Sequence, residues 1–263
     1  MDLNLKDKIF IVTGGAKGIG KAIVIALAKE GAVPVIVGRK QADNDIVKAE
    51  VEALGGKALS VEAELSDPAH CKHAVEQTLA VYGRIDGLVN NAGHNDGVGL
   101  ISGNYEGFVA SLHKNLIHYY LMAHHCIDAL RVAKGTILNI SSKTAETGQG
   151  NTSAYAAANG GRNALTREWA VELLPYSIRV NAIIVAECAT PQYDSWIQTL
   201  DNPEETLKKI TDRIPLEHRM TTAEEIANTA VFLLSEKSSH TTGQLVHVDG
   251  GYVHLDRSLI KEN

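Results

Sequence analysis

Cysteine is scarce in this sequence, and the cysteines that it has are widely spaced. Cys71, Cys126 and Cys188 are three in number within 263 residues. Disulfide-stabilised secreted domains carry an even, closely spaced set, so this count excludes a disulfide framework and favours a reducing, cytoplasmic setting. Cys71 lies between His70 and His73 in a polar helical pattern, but no second cluster of ligands accompanies them. We therefore expect these side chains to be solvated and no metal to be bound.

Long apolar runs and an excess of positive charge are also missing. No apolar run approaches the ~20 residues that a membrane helix needs, and residues 1–7 lack the apolar core of a signal peptide. Lysine and arginine together number 25 against 31 aspartate and glutamate residues, a formal net charge of −6. No basic block stands out, so we expect a protein that binds neither membranes nor nucleic acid.

Apolar runs alternate with helical patterns along the whole chain. Seven of these runs predict buried strands, at residues 9–12, 33–37, 57–61, 85–89, 136–141, 178–185 and 244–248. Strands separated by helices predict a parallel sheet covered on both faces, which is a doubly wound, Rossmann-like α/β fold. We expect one domain over residues 1–263, with an irregular substrate lid at about 186–216.

A glycine-rich turn follows the first strand, and an amphipathic helix follows the turn. The turn reads Gly14-Gly15-Ala16-Lys17-Gly18-Ile19-Gly20. A strand, turn and helix in this order direct backbone N–H groups and the positive end of the helix at one point, which suits a pyrophosphate. An ordinary strand-to-helix loop is the alternative. The position near the N-terminus, in this context, favours nucleotide binding.

The residues that follow the other strands are the next candidates, because ligands of such sheets bind beyond the carboxyl ends of the strands. These candidates are Gly38-Arg39, Glu64-Leu65, Asn90 to Gly93, Ser141-Ser142 and Val185 to Thr190.

On these motifs the chain resembles the short-chain dehydrogenase/reductase family over nearly its full length. The motifs that match are Thr13 to Gly20, Asn90-Asn91-Ala92-Gly93, Asn115, Ser142, Tyr155, Asn181 and Asp249-Gly250-Gly251. Within the family, other segments resemble bacterial L-fucose dehydrogenases, which oxidise the anomeric hydroxyl of an aldose to a lactone. These segments are 95–97, 141–145, 148–153, 165–170, 190–196 and 254–257.

The resemblance implies a dinucleotide, NADP or NAD, bound across the strand ends. It implies hydride transfer to that dinucleotide from C1 of L-fucose or a similar sugar. It also implies a small-molecule sugar as partner and a homotetramer. The implied cofactor-binding residues are Gly14, Lys17, Gly18, Ile19, Gly20, Arg39, Glu64, Leu65, Asn91, Ala92, Gly93, Tyr155, Asn159, Val185, Cys188 and Thr190.

The charges near the second strand bear on which dinucleotide is used. Members of the family that prefer NAD usually carry an acid after this strand, whereas this chain has Gly38 followed by Arg39. With Lys17 in the glycine turn, two cations and no acid favour the 2′-phosphate of NADP. Solvated surface charges and the use of both dinucleotides are the alternatives.

The same resemblance implies the catalytic residues. Tyr155 is the general base, Ser142 holds the substrate oxygen against the nicotinamide, and Asn115 holds a water in the proton path. A free phenol with a pKa of ~10 is a poor base at neutral pH. The alternative for Tyr155 is a tyrosine that packs in its helix without a chemical role.

The residue one helical turn after Tyr155 departs from the family pattern. The family has a lysine there, and this chain has Asn159. An amide keeps part of the lysine's role in binding the nicotinamide ribose, but it carries no charge. A unit charge near 4 Å is worth roughly 4 kcal/mol at an effective dielectric of 20, or at most about three pKa units for the tyrosine.

Three interpretations of Asn159 remain open. The chain is an inactive variant that traps complexes, a natural enzyme with weaker catalysis or a higher pH optimum, or an enzyme in which Lys143 replaces the lysine. The third is disfavoured, because Lys143 follows Ser142 directly and adjacent side chains on a strand point to opposite faces.

Short polar residues around the predicted cleft suit a polyol better than a steroid or an acyl chain. We expect Glu187 to accept hydrogen bonds from sugar hydroxyls, and Tyr193 and Trp196 to stack on the sugar. A lid-surface carboxylate and rings that pack the lid onto the core are the alternatives. The predicted substrate residues are Asn95, Asp96, Ser142, Lys143, Gln149, Tyr155, Glu187 and Trp196, with Asn151 at the rim. Two rival functions remain: a cofactor-binding protein without turnover, and a reductase of another small carbonyl compound.

Overall fold

The structure is a computed structural model that describes residues 1–256. Arg257, the last residue of the C-terminal motif, lies outside the described residues. Within the described part of the chain, no helix combines the length and the apolar character that crossing a membrane would require.

A parallel sheet of seven strands forms the centre of the fold, in the order β3-β2-β1-β4-β5-β6-β9. The prediction of a parallel doubly wound sheet is therefore confirmed. A separate parallel pair joins β7 to β8. The strands are β1 (Ile9–Thr13), β2 (Val33–Gly38), β3 (Leu59–Glu62), β4 (Gly87–Asn90), β5 (Thr136–Ser142), β6 (Arg179–Val185), β7 (Cys188–Ala189), β8 (Thr221–Thr222) and β9 (Leu245–Val248).

Helices cover both faces of the sheet. Their bounds are α1 (Gly18–Lys29), α2 (Gln41–Ala53), α3 (Pro68–Tyr82), α4 (Tyr105–Leu112), α5 (His118–Ala133), α6 (Ser153–Glu172), α7 (Pro191–Ile197), α8 (Pro203–Thr211) and α9 (Ala223–Leu234). Helices α1, α2 and α9 pack on one face, and α3, α5 and α6 on the other. Alternate residues of β1 enter the two apolar cores: Phe10 and Val12 join one, and Ile9 and Ile11 the other. A strand buried on both faces must be apolar throughout, which explains the unbroken apolar run.

The helical stretch through residues 105–133 contains a break. A π-helical turn, His113–Ile117, separates α4 from α5. Such turns are rare and frequently lie at functional sites. Asn115 is inside this turn, and its carbonyl accepts a hydrogen bond from Arg162 Nε at 2.6 Å. The turn thus exposes a backbone acceptor to a neighbouring helix.

The segment 186–216, predicted to be irregular, contains β7, α7 and α8. Pro191 and Pro203 each stand at the start of a short helix, and the Thr190 side chain caps α7 by accepting the Tyr193 N–H at 3.2 Å. Proline at the first helical position is compatible with the start of a helix. In a short polar segment, however, a proline is easily interpreted as a helix breaker, which is why these two helices were not predicted. Both ends of the segment are joined by the pairing of Cys188 with Thr221 and of Ala189 with Thr222.

One expectation for the cysteines is wrong. Cys71 is buried in α3, and its Sγ donates a hydrogen bond to the Leu65 carbonyl at 3.4 Å. Burial raises the pKa of Cys71 to about 11, so its thiol stays protonated. The neighbouring His70 and His73 are exposed, as expected. The cysteine is therefore a core residue rather than a solvated one.

Candidate functional site

A cleft of about 810 Å³ lies where the loops leave the carboxyl ends of the central strands. It begins at the glycine turn after β1 and continues past the ends of β4, β5 and β6 to α7. The strand order reverses between β1 and β4, so their loops diverge and leave this space between them. The cleft is therefore where a doubly wound sheet is expected to bind a ligand.

Hydrogen bonds across the sheet hold the glycine turn in place. Thr13 Oγ1 accepts the Asn91 N–H at 2.8 Å, and the Asn91 amide donates to the Thr13 carbonyl, also at 2.8 Å. Gly20 lies directly under the turn, where an added Cβ would be 2.2 Å from the Gly14 carbonyl oxygen. Only a residue without a side chain allows this approach of α1 to the turn. A narrow cradle of backbone results, of the kind that fits a pyrophosphate.

Most residues predicted to bind the cofactor line this cleft. They are Gly14, Lys17, Gly18, Ile19, Arg39, Glu64, Leu65, Asn91, Ala92, Gly93, Tyr155, Val185, Cys188 and Thr190. Gly20 and Asn159 are not part of the lining. Gly20 supports the turn from below, and Asn159 is completely buried. Their contacts with a dinucleotide stay predictions.

The charges around the second strand differ from the sequence-based expectation. Asp43, in the first turn of α2, also lines the cleft and forms an ion pair with Lys17 at 2.8 Å. The hydrogen bond from Lys17 holds the pKa of Asp43 below its ordinary value. Arg39 lies 3.9 Å from Glu64. The expectation of two cations and no acid is therefore wrong, although Lys40 adds a further cation to the lining.

Ser142 and Tyr155 line the same cleft. Ser142 is the last residue of β5, and its Oγ accepts the Thr144 N–H at 3.3 Å and the Thr144 hydroxyl at 3.2 Å. Because Ser142 is the acceptor in both bonds, its hydroxyl keeps its own proton to donate to a ligand. Tyr155 lies in the first turn of α6. The structure thus brings together a hydroxyl donor and a phenol that are separated in the sequence.

Asn159 lies one turn below Tyr155 and is engaged inside the protein. Its Nδ2 donates to the Tyr155 carbonyl at 2.8 Å, and its Oδ1 accepts from Arg162 Nη1 at 2.9 Å. The Asn159 amide is therefore bound to α6 itself and to an arginine.

Arg162 is a residue that the sequence-based reasoning missed. Its side chain is 3% exposed and lines the cleft. Nε donates to the Asn115 carbonyl at 2.6 Å and Nη1 to the Ile140 carbonyl at 3.2 Å, whereas Nη2 has no hydrogen-bond partner among the described residues. The spacing of Tyr155, Asn159 and Arg162, offsets of four and three, places them on one face of a helix. That spacing is the signal that could have identified the arginine.

Lys143 does not approach Tyr155 through any contact of the described residues. It is buried, donates to Glu187 Oε1, and its Nζ lies 4.1 Å from the centre of the Tyr252 ring. The Glu187 side chain is only 13% exposed. Both residues are therefore parts of a buried ion pair between the end of β5 and the segment after β6.

Tyr193, in α7, extends the cleft beyond Glu187. Its hydroxyl is buried and makes no well-formed hydrogen bond within residues 1–256. Burial, then the negative charge of Glu187 and a weak hydrogen bond to its carboxylate, raise the pKa of Tyr193. The ring of Trp196 packs edge-on against the Tyr193 ring with centres 5.1 Å apart. A buried hydroxyl without a well-formed hydrogen bond is a candidate contact for a polar ligand.

The other predicted substrate residues are not part of the cleft lining, and Lys143, Glu187 and Trp196 belong to this set as well. Asp96 accepts a hydrogen bond from Ser111 Oγ at 2.8 Å, and Asn95 and Gln149 are exposed. Asn115 donates to Ser111 and accepts the His94 N–H at 2.8 Å. The water contact of Asn115 and the sugar contacts of the other three residues stay predictions.

The chain is similar to known oxidoreductases over nearly its whole length. A family profile described as Enoyl-(Acyl carrier protein) reductase matches residues 14–253. L-xylulose reductase of Bos taurus is 37% identical over 96% of this chain and 99% of that protein. L-fucose dehydrogenase of Rattus norvegicus is 32% identical over 93% of this chain and 88% of that protein. The crystal structure of Cj0485 dehydrogenase superimposes with a TM-score of 0.94 at 45% identity, over 100% of both chains. The activities that these names state differ, so these likenesses indicate a class of chemistry rather than one substrate.

Replacing Gly20 with alanine should weaken dinucleotide binding roughly tenfold or more, because the new Cβ displaces the glycine turn. Titration of NADP and NAD against protein fluorescence gives the dissociation constants. Gly160→Ala is a matched control, since Gly160 is also helical and its added Cβ meets nothing within 4 Å. Equal affinities of the two variants would contradict the assignment of the turn.

His118 makes the fold sensitive to acid. It lines the cleft, and burial, followed by the positive charge of Arg162, lowers its pKa from 6.5 to about 3. Between these values the unfolded chain holds a proton at this histidine and the folded chain does not. The free energy of unfolding should therefore decrease as the pH falls from 6.5 towards 3, by about 1.4 kcal/mol per pH unit from this group.

Urea unfolding of the wild type and His118→Gln across this pH range measures that contribution. The two proteins should converge in stability as the pH falls, because the variant lacks the group that titrates. A difference between them that does not change with pH would show that His118 binds its proton equally well in the folded and the unfolded protein, which contradicts the prediction.

Proposed function

Because this chain belongs to the short-chain dehydrogenase/reductase family of NAD(P)-dependent oxidoreductases, we propose that it oxidises an aldose at C1 to a lactone. L-fucose, or a similar 6-deoxy or C4-axial sugar, is the proposed substrate. The observation that carries the proposal is that Ser142 and Tyr155 line one cleft with the glycine turn. A hydroxyl donor and a phenol at the end of a dinucleotide cradle are what alcohol oxidation needs.

The residues of the cleft fit a dinucleotide. Gly20 leaves the cradle under the turn open, and the cleft continues from there to Ser142. Asn91, Ala92 and Gly93 line its middle, and Cys188 and Thr190 its far side. A bound dinucleotide would supply the acceptor for the hydride that leaves the sugar C1.

In this mechanism the chain positions the sugar and removes a proton. Ser142 donates a hydrogen bond to the C1 oxygen and fixes its position. Tyr155 accepts the hydroxyl proton while the C1 hydrogen departs as hydride. The electron pair left on oxygen forms the carbonyl of the lactone, so that one hydride (two electrons and a proton) and one further proton leave the sugar.

The preference for a sugar is supported by the polar groups at the far end of the cleft. The buried Tyr193 hydroxyl lines the cleft and makes no well-formed hydrogen bond among the described residues, and the hydrogen bond from Lys143 to the neighbouring Glu187 goes to Oε1 rather than to Oε2. We assign the Tyr193 hydroxyl and Glu187 Oε2 to sugar hydroxyls, and residues 186–216 to a lid over them. The names of two relatives, an L-fucose dehydrogenase and an L-xylulose reductase, point to sugars as well.

Two other functions have some support. Asn159 stands where the family has a lysine, and this favours a protein that binds the dinucleotide without turnover. The matching profile and the L-xylulose reductase are named for reduction, which favours the opposite direction on a carbonyl substrate. For the enzyme itself we propose a homotetramer in the reducing cytoplasm, where its three buried cysteines stay unpaired.

The sugar proposal is tested by initial rates of NADPH and NADH formation with a panel of aldoses over a range of pH. We expect turnover of L-fucose or a related sugar, and a loss of about 10²- to 10⁴-fold in Tyr155→Phe, which removes the base. Tyr120→Phe is the control, since Tyr120 is a half-exposed tyrosine of α5.

Asn159→Lys separates the alternatives in the same assay. Inactivity of the wild type and of this variant on every aldose would refute the sugar proposal. Activity of the variant alone, with the wild type still binding NADP, would support the protein without turnover.

We propose NADP as the preferred dinucleotide, because Lys17, Arg39 and Lys40 outnumber Asp43 and Glu64 in the lining. Arg39→Ala should raise the KM for NADP about tenfold to a hundredfold, as the loss of charged hydrogen bonds worth ~1.5–3 kcal/mol implies. The KM for NAD, measured on the same variant, should change little and serves as the control. An equal effect on both dinucleotides would mean that Arg39 does not contact a 2′-phosphate.

A further inference from the structure

A phenol acts as a base near neutral pH only when a positive charge stabilises the phenolate. Tyr155 therefore needs a cation nearby if it is to remove a proton, and the residue one turn along α6, Asn159, is neutral. An oxidised nicotinamide would carry one positive charge, and any further cation has to come from another residue of the chain.

The cations that line or adjoin the cleft are mostly paired with carboxylates. Lys17 pairs with Asp43, Arg39 lies near Glu64, Lys114 lies 3.9 Å from Asp96, and Lys143 pairs with Glu187. A paired carboxylate cancels most of the field of a cation at longer distance.

Arg162 differs from these cations. No carboxylate within residues 1–256 forms an ion pair with it, and its hydrogen bonds go to neutral oxygens of Asn115, Ile140 and Asn159. Its guanidinium carbon is 5.9 Å from the centre of the Tyr155 ring. The charge is thus fixed, buried and not neutralised. Its effect on a second neighbour is visible in His118, whose pKa it helps to lower.

We propose that Arg162 supplies the positive charge that lets Tyr155 act as the base, and that Asn159 positions Arg162 through its side-chain oxygen. This inference rests on the proposed function, since it concerns the base of that reaction. Arg162 acts through Tyr155 and is therefore a positioning residue.

The surroundings of Arg162 are built to hold the charge at this place. The π-helical turn offers the Asn115 carbonyl to Nε. At Gly93 an added Cβ would lie 2.7 Å from Nη2, so the absence of a side chain there gives the guanidinium its space. The guanidinium carbon also lies 4.2 Å from the centre of the Tyr119 ring. These contacts fix the orientation of the guanidinium.

The balance of charge supports the same conclusion. Burying a cation without a carboxylate partner is costly, and a chain retains such a group more readily when its charge has a use. The unpartnered Nη2 adds to this cost. An arginine with only a structural role is expected to have hydrogen-bond acceptors for both of its terminal nitrogens. Arg179 is an example, since its terminal nitrogens donate to Leu233, Ser235 and Ser238.

The first experiment measures kcat/KM for the oxidised aldose as a function of pH. A unit charge at about 6 Å and an effective dielectric of 20 corresponds to about two pH units. In Arg162→Met the midpoint of the rise of kcat/KM with pH should therefore move upward by about two units, with a loss of roughly 100-fold at neutral pH. Arg162→Lys should keep most of the activity, because the charge is retained.

Two further variants test the charge rather than the packing. Asn159→Asp keeps the shape of the site and places a carboxylate against Nη1, so it should shift the profile in the same direction as Arg162→Met. Asn159→Lys combined with Arg162→Met returns a charge to α6 one turn from Tyr155 and should restore the wild-type midpoint. Arg179→Met removes a different arginine that binds backbone carbonyls, and it should lower the melting temperature without moving the profile.

The second readout needs no substrate. The tyrosinate absorbance of each protein is titrated with alkali, and the curve of the matching Tyr155→Phe variant is subtracted. The midpoint of the difference should move upward in Arg162→Met and Asn159→Asp, and should not move in Arg179→Met. This readout keeps its meaning if no aldose is oxidised, so failure of the proposed function and failure of this inference are distinguishable.

Equal midpoints in the wild type, Arg162→Met and Asn159→Asp would overturn the inference. A shift of the same size in Arg179→Met would also overturn it, since the effect would then follow general destabilisation. If Arg162→Met does not fold, Arg162→Gln, which removes the same charge and keeps a polar side chain, replaces it in both measurements.

Discussion

The parallel pairing of β1 with both β2 and β4 is the constraint on which the site depends. Because the first strand lies inside the sheet, the chain winds outward to β3 on one side and to β9 on the other. The loops after β1 and β4 then diverge and open a crevice between neighbouring strands. Thr13 closes the bottom of that crevice by accepting the N–H groups of Asn91 and Ala92 at 2.8 and 3.1 Å. The position of every other group in the cleft follows from this junction.

The parts of the fold that the sequence predicts well are those whose signal is local. Strands buried on both faces must be apolar throughout, so β1 and β2 are readable as short apolar runs, whereas the edge strands β3 and β9 are only partly buried and contain polar residues. The glycine turn is predictable for a similar reason. The residues that specify the tight turn, the close packing of α1 against it and the start of that helix all lie within a few positions. Ser142 and Tyr155 are placed by the same local elements, the end of β5 and the start of α6.

The features that cannot be predicted from the sequence depend on residues that are distant in the chain. Asp43 belongs to α2, and only the packing of that helix brings it to Lys17. The π-helical turn at Asn115 has no compositional mark, and its acceptor is used by a residue of α6. Helices α7 and α8 are short and begin at proline, so a periodic pattern has no length over which to appear. The effect of a replacement such as Asn159 has to be judged together with Tyr155, four positions before it, and Arg162, three positions after it.

The small parallel pair of β7 with β8 has a consequence for how this protein diversifies. It ties together the two ends of the segment that carries α7 and α8, so that this segment leaves and re-enters the core at a single stem. Exchanges within α7 and α8 consequently leave the register of the main sheet unaltered, whereas Thr190, which lies beside Gly18, and Leu216, whose N–H donates to the Gly250 carbonyl, have to stay in place. This segment can therefore change during evolution, and the substrate with it, while the other residues that bind the dinucleotide are retained.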